Sequence, residues 1–165
     1  MNNILKIVIF TFVFLASISC KKAEKINSVK YNVVTDGEIL IAHNINTLID
    51  SVASFDLRFL VKDSKEPKLT IGLIDSISIN GNTAKLEDNT IAFYRSSYKL
   101  NLVKKNNFDG NILFITFSNF KIQGDQASIV VKKVFGISMM QAIFYFKKEK
   151  GLWVLVKKQN FGAIG

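Results

Sequence analysis

The chain reads as an α+β domain, one N-terminal amphipathic helix packed on a curved antiparallel sheet of about six to eight strands. Three observations predict this. Ile41, Ile45, Leu48, Ile49 and Val52 recur at helical spacing behind a helix-start signal. From Phe55 onward, apolar residues mostly alternate at the period of two that puts them on one face of a strand. Turn signals then separate these runs at short intervals, with a single Pro and no composition shift that would mark a second domain.

The helix opens at Thr35-Asp36-Gly37-Glu38, a capping-box pattern in which the Thr hydroxyl accepts from a backbone N–H while Glu38 reaches back. Asn44, Asn46 and Asp50 fall mainly on the face opposite the apolar stripe, and the helix is expected to end near Ser54. A strand follows at Phe55–Val61, then alternation at Leu69, Ile71 and Leu73. Asn80-Gly81 is a hairpin signal between Ile77–Ile79 and Ala84–Leu86, because both residues tolerate the positive φ of a tight primed turn. Tyr98, Leu100 and Leu102 alternate again, and Asn106–Gly110 supplies a turn. The last third is a meander: Ile112–Phe117, Ala127–Phe135, Ala142–Phe146 and Leu152–Val156, with turns at Gly124-Asp125 and Glu149-Lys150-Gly151. Ile112–Phe117 and Ile143–Phe146 are apolar on both faces, the pattern of a strand covered on both sides or left apolar for a ligand.

The first twenty residues have a different character. Lys6 precedes the apolar run Ile7–Ala16, followed by Ser17-Ile18-Ser19-Cys20 and then Lys21-Lys22. The run is shorter than the ~20 residues a bilayer-spanning helix needs, and its layout is that of a cleaved signal peptide. Cys20 directly after small residues resembles the lipobox of bacterial lipoproteins, with Ser17 standing where Leu, Val or Ile is commoner. The resemblance implies cleavage before Cys20, lipid (palmitate among it) on Cys20, and attachment to a membrane of the cell envelope on its periplasmic or outer-membrane face. The resulting organisation is a signal peptide over 1–19, the lipidated Cys20 and a lysine-rich tether over 20–34, and one globular domain over 35–165.

One cysteine excludes an internal disulfide, so the domain relies on its core. The formal charge is +9, of which the leader removes only Lys6. Lysines account for nearly all of it, with Arg58 and Arg95 the two arginines, too few for base or phosphate recognition, and nucleic acid is not an expected partner. The lysines either solubilise the domain or favour anionic headgroups beside the anchor. In the meander, Lys132-Lys133, Lys147-Lys148 and Lys157-Lys158 are adjacent pairs, so one lysine of each should share a sheet face and form a stripe.

The inventory for catalysis is poor. His43 is the one histidine and lies at the helix margin, which excludes two-His metal motifs; the carboxylates are scattered; no phosphate loop or dinucleotide fingerprint is present. Glu87-Asp88-Asn89 and Asp63-Ser64-Lys65-Glu66 lack the alternating ligands and distal Glu of a calcium loop and read as turns. No catalytic residue, metal or cofactor is assigned. Aromatics are the enriched chemistry, and they suit either a strand core or a hydrophobic pocket between helix and sheet. Candidate binding residues are Met139 and Met140 in an expected inter-strand loop, Tyr145, and Trp153, which is also expected to be largely buried between sheet and helix.

Phe117-Ser118, Ala127-Ser128-Ile129-Val130-Val131, Ala142–Lys148 and Gly151-Leu152-Trp153-Val154-Leu155-Val156-Lys157 together resemble the closing meander of small bacterial lipoproteins, and this ending is similar to NTF2-like and cystatin-like domains. The resemblance implies a helix in a strongly bent sheet, and no particular activity. The expected role is a membrane-tethered envelope protein that binds a protein partner or a small apolar ligand. The alternatives are an envelope enzyme of NTF2-like architecture using a pocket carboxylate, and a structural envelope component.

Overall fold

The computed structural model describes residues 32–49, 70–96, 98–107 and 112–164. The leader, Cys20, the expected strand over 55–61 and the Asp63–Glu66 turn lie outside the described residues. Asn32–Gly165 is one compact unit that contains every residue of the buried core.

Helix α1 (Val33–Leu48) begins earlier than its capping box suggests. Asn32 is the cap: its side-chain oxygen accepts from Val34 N–H at 3.1 Å and Thr35 N–H at 3.4 Å. Asn is as good a cap as Thr, and with its own N–H already bonded, Thr35 sits inside the first turn. The end also differs, with Ile49 rather than Ser54 closing the helix by donating its N–H to Ile45 O at 3.0 Å. Leu40, Ile41, Ile45 and Leu48 are fully buried. Asn44, read as solvent-facing, is half-buried and donates its side-chain amide to Leu40 O (3.0 Å) and to Trp153 O (3.3 Å), which ties the helix to the last strand.

Among the described residues, eight strands form one curved, open sheet: β1 (Thr70–Ile74), β2 (Ser76–Ile79), β3 (Asn82–Lys85), β4 (Lys99–Val103), β5 (Ile112–Gln123), β6 (Gln126–Phe135), β7 (Ser138–Glu149) and β8 (Leu152–Ile164). The order β3-β2-β5-β6-β7-β8 runs through the long central strand β5, with β1 and β4 added on its other half. The meander is antiparallel as expected, but the sheet is mixed: β1 lies between β4 and β5, parallel to both. A parallel return needs a crossover of a dozen or more residues, and the stretch from Asp75 to Tyr98 supplies it. Alternation within a strand carries no sign of its neighbour's direction, which is why the sequence did not disclose this.

The curvature has a local cause. Between Ser118 and Lys121 the β5–β6 register shifts at a bulge, where Asn119 adopts φ 47°. β1 pairs with β5 before the bulge and β2 meets it at the bulge, where Ile79 is opposite Phe120. Asp75, at the bend between β1 and β2, bonds Val103 O through its N–H (2.9 Å) and accepts from Leu86 N–H (2.7 Å). Asn80-Gly81 forms the expected turn, with φ of 50° and 84°. The Glu87-Asp88-Asn89 segment, read as a turn, opens a one-turn helix, α2 (Asp88–Ile91), which packs beside α1.

The face of the sheet toward α1 is filled. Phe117, Phe120, Ile129, Phe144 and Phe146 pack with the helix side chains in one core cluster, each almost wholly buried. Each of the four fully buried aliphatic side chains of α1, Leu40, Ile41, Ile45 and Leu48, contributes about 1.5–3 kcal/mol. Gly37 is the point of closest approach. A Cβ there would collide with the Ile79 side chain and lie 3.2 Å from Phe120 Cε1.

Candidate functional site

In the first turns of α1, Asp36 is buried against β7 and β8. Its Oδ1 accepts from Lys148 Nζ at 2.6 Å and from Trp153 Nε1 at 3.3 Å. Lys148 Nζ also lies 5.2 Å from the centre of the Trp153 ring, so cation, carboxylate and indole form a closed triangle. Cross-strand pairing of Lys148 with Trp153 places both on the helix-facing side. Two charge-assisted bonds offset the desolvation of Asp36. The cluster is a structural clasp between helix and sheet edge, because each member is already engaged with the others. Nothing in the sequence singled out Asp36 beyond its place in the expected capping box.

An open groove lies on the opposite flank of α1. It holds about 410 Å³ and is bounded by Ile39, Ala42 and His43 of α1, by Lys85 and Glu87 before α2, and by Thr90 and Phe93. Glu38 lines its rim. Phe93 is exposed and meets the His43 ring edge-on at 6.2 Å. Its position is set by Asn46, whose amide donates to Phe93 O (2.9 Å) and whose carbonyl oxygen accepts from Arg95 N–H (2.7 Å). Arg95 Nη1 in turn donates to Ala92 O (2.7 Å) and Tyr94 O (3.0 Å), satisfying carbonyls past the end of α2. Burial pushes the neighbouring Tyr94 hydroxyl above its ordinary pKa. Phe93 lines the groove and Asn46 holds it there, a pairing the sequence did not single out. The Asn is a polar residue on the exposed helix face, and its partner is 47 residues away.

The residues nominated from sequence do not form one site. Met139 and Met140 lie within β7 rather than a loop, since the β6–β7 connection is only Gly136-Ile137. A two-residue turn leaves the following residues free to pair, and Met139 sits opposite Val134 while Met140 sits opposite Lys133. Met140 packs on the core, whereas Met139 shares the outer face with Tyr145. Tyr145 is half-buried opposite Ser128 and Lys157, and Lys157 Nζ stands 5.8 Å from its ring centre. Trp153 is buried on the helix side as expected, holding the clasp rather than presenting a contact surface. The space between helix and sheet that was open to a ligand pocket is occupied by core side chains.

The lysine pairs split between faces. Lys133 is buried on the helix side with Lys148, and Lys132, Lys147 and Lys157 face outward, but not as one stripe. Lys132 is level with Gln141, six residues along β7 from Lys147, or about 20 Å. The outer neighbour of Lys157 across the sheet is instead Lys121, through Tyr145 and Ser128.

Among the described residues no group of three His, Cys, Asp or Glu is placed to hold a metal ion, and no helix is long and apolar enough to cross a membrane. Compared with family models, curated proteins and solved structures, the chain matches none.

Proposed function

We propose that this protein is a lipid-anchored module of a bacterial cell envelope, tethered through Cys20, that binds a protein partner along the α1–α2 groove without catalysing a reaction. The observation that carries the tethering is the position of the sole cysteine, directly behind a short apolar run and ahead of two lysines. The groove supports the binding role. Its aromatic wall is held in place by Asn46 before any partner arrives, and preorganisation lowers the ordering cost of association. Ile39 and Phe93 offer exposed apolar contacts, while Glu38 and Glu87 place carboxylates in an otherwise basic chain. A segment with an apolar side chain beside a basic one fits that lining. A protein partner is favoured over a small apolar ligand because the helix–sheet interface is filled.

The anchor is tested by Cys20→Ser in the full chain. Acyl mass on the mature wild-type chain and release of the variant from salt-washed membranes are expected; a mature wild-type chain that stays in the membrane without acyl mass refutes it. The groove is tested by a photo-crosslinking residue at position 93 in cells. A discrete adduct that disappears with Ile39→Asp is expected, and an adduct indifferent to that change refutes the assignment.

A further inference from the structure

The outer face of the sheet carries a second surface, remote in chemistry from the groove. At the β8 edge, Leu152, Val154 and Val156 are 58%, 43% and 57% exposed, large apolar side chains gathered on one strand. Val154 pairs with Lys147 and Tyr145 pairs with Lys157, so aliphatic, aromatic and cationic side chains alternate across β7 and β8 on the same face. The register shift between Tyr145 and Phe146 inserts Val156 next to Lys157. Lys121 extends the basic row to β5, about 14 Å away across three strand spacings. Among the described residues none of Lys121, Lys147 and Lys157 forms an ion pair, and the nearby acids, Asp125 and Glu149, stand at the turns that end the strands.

We infer that this corner, Lys121, Lys147 and Lys157 around Tyr145, Leu152 and Val154, docks the domain on an anionic lipid surface. The inference rests on the tethered reading above, which would hold the corner near a membrane. Its chemistry is that of the bilayer interface. Lysines reach anionic headgroups on flexible stems, Tyr spans an apolar body and a polar tip, and exposed aliphatic side chains enter the boundary below. A second copy pairing along β8 fits less well, because that strand carries Lys157 and Lys158 and two register shifts, devices that oppose edge-to-edge pairing.

The test uses residues Asn32–Gly165, the compact unit that contains the whole described core, so no acyl chain contributes. Sedimentation with vesicles of phosphatidylglycerol and phosphatidylcholine should show binding at low salt that weakens toward about 0.15 M salt, and none with phosphatidylcholine alone. Lys147→Glu/Lys157→Glu should weaken it roughly tenfold or more. Lys104→Glu/Lys105→Glu, with the same change in net charge beyond β4 on the far side of the sheet, should leave it nearly unchanged. Val154→Ser should weaken binding without altering its salt dependence. Equal losses in both lysine pairs would reduce the effect to net charge and overturn the proposal. So would absence of binding in a unit that melts cooperatively, or concentration-dependent dimers abolished by Val154→Ser. Because the unit lacks Cys20, failure here leaves the anchor standing, and failure of acylation leaves the docking surface standing.

Discussion

Asp36 shows how a single residue acquires its role from what reaches it. On its helix it is an acidic side chain in the first turns, where the dipole favours negative charge. Against the sheet it becomes the acceptor that Lys148 and Trp153 share. Removing one partner of a buried pair leaves the other charge uncompensated, which costs about 3–5 kcal/mol at full burial. Lys148 keeps about a quarter of its side-chain exposure, so Lys148→Met is expected to cost roughly 2–3 kcal/mol after that discount. Lys147→Met, one residue away on the outer face, should be near neutral. Chemical denaturation of the two variants checks this, and equal effects would remove the clasp. Gly37 offers a second residue-scale test. Ala in place of Gly gains up to ~1 kcal/mol of helix propensity. The added methyl, however, meets the fully buried Ile79 side chain, and overpacking of this kind costs roughly 1–3 kcal/mol. Gly37→Ala is expected to lower the thermal midpoint, and Gly37→Ala with Ile79→Val should recover part of the loss.

At the scale of elements, the bulge in β5 and the β2–β3 hairpin act together. Asn80 forms the turn with Gly81 and also uses its side chain as an extra strand residue, donating to Ile122 O at 2.7 Å and accepting from Ile122 N–H at 2.9 Å. Its own N–H bonds Phe120 O at 3.0 Å. Asn80→Gly preserves the turn and deletes the side-chain clamp, so the measured loss combines the clamp with the extra chain entropy that a glycine gives the unfolded state. It is expected to be about 1–3 kcal/mol, since the Ile122 backbone groups lose partners in a half-buried site. Amide exchange should accelerate at Ile122 while the β6–β7 ladder remains protected. A variant with unchanged exchange at Ile122 would show that β2 is held by packing only. The hairpin itself was legible because Asn-Gly has a local reason to turn. The clamp was not, because Ile122 is 42 residues away.

For the whole molecule, the expectation of one helix on a curved sheet of about six to eight strands holds in its coarse form. The helix, the sheet and the clasp share one core cluster, which runs from Leu40 to Trp153. Residues Asn32–Gly165 should therefore unfold in a single transition, with Trp153 fluorescence and far-UV circular dichroism changing together. A separate early transition in the Trp signal would mean that the β8 edge opens independently of the helix. By itself, the sequence determined the elements whose causes are local: an apolar stripe at helical period, alternation at period two, and turns that need positive φ at Asn80-Gly81 and Lys150-Gly151. Tertiary structure alone decided which neighbours those elements meet. The parallel placement of β1, the burial of Asp36 beside Lys148, the separation of Met139 from Met140, and the regrouping of Lys121 with Lys147 and Lys157 depend on register between strands far apart in the chain. Shifting that register by one residue would exchange the faces, and no local pattern of side chains records it.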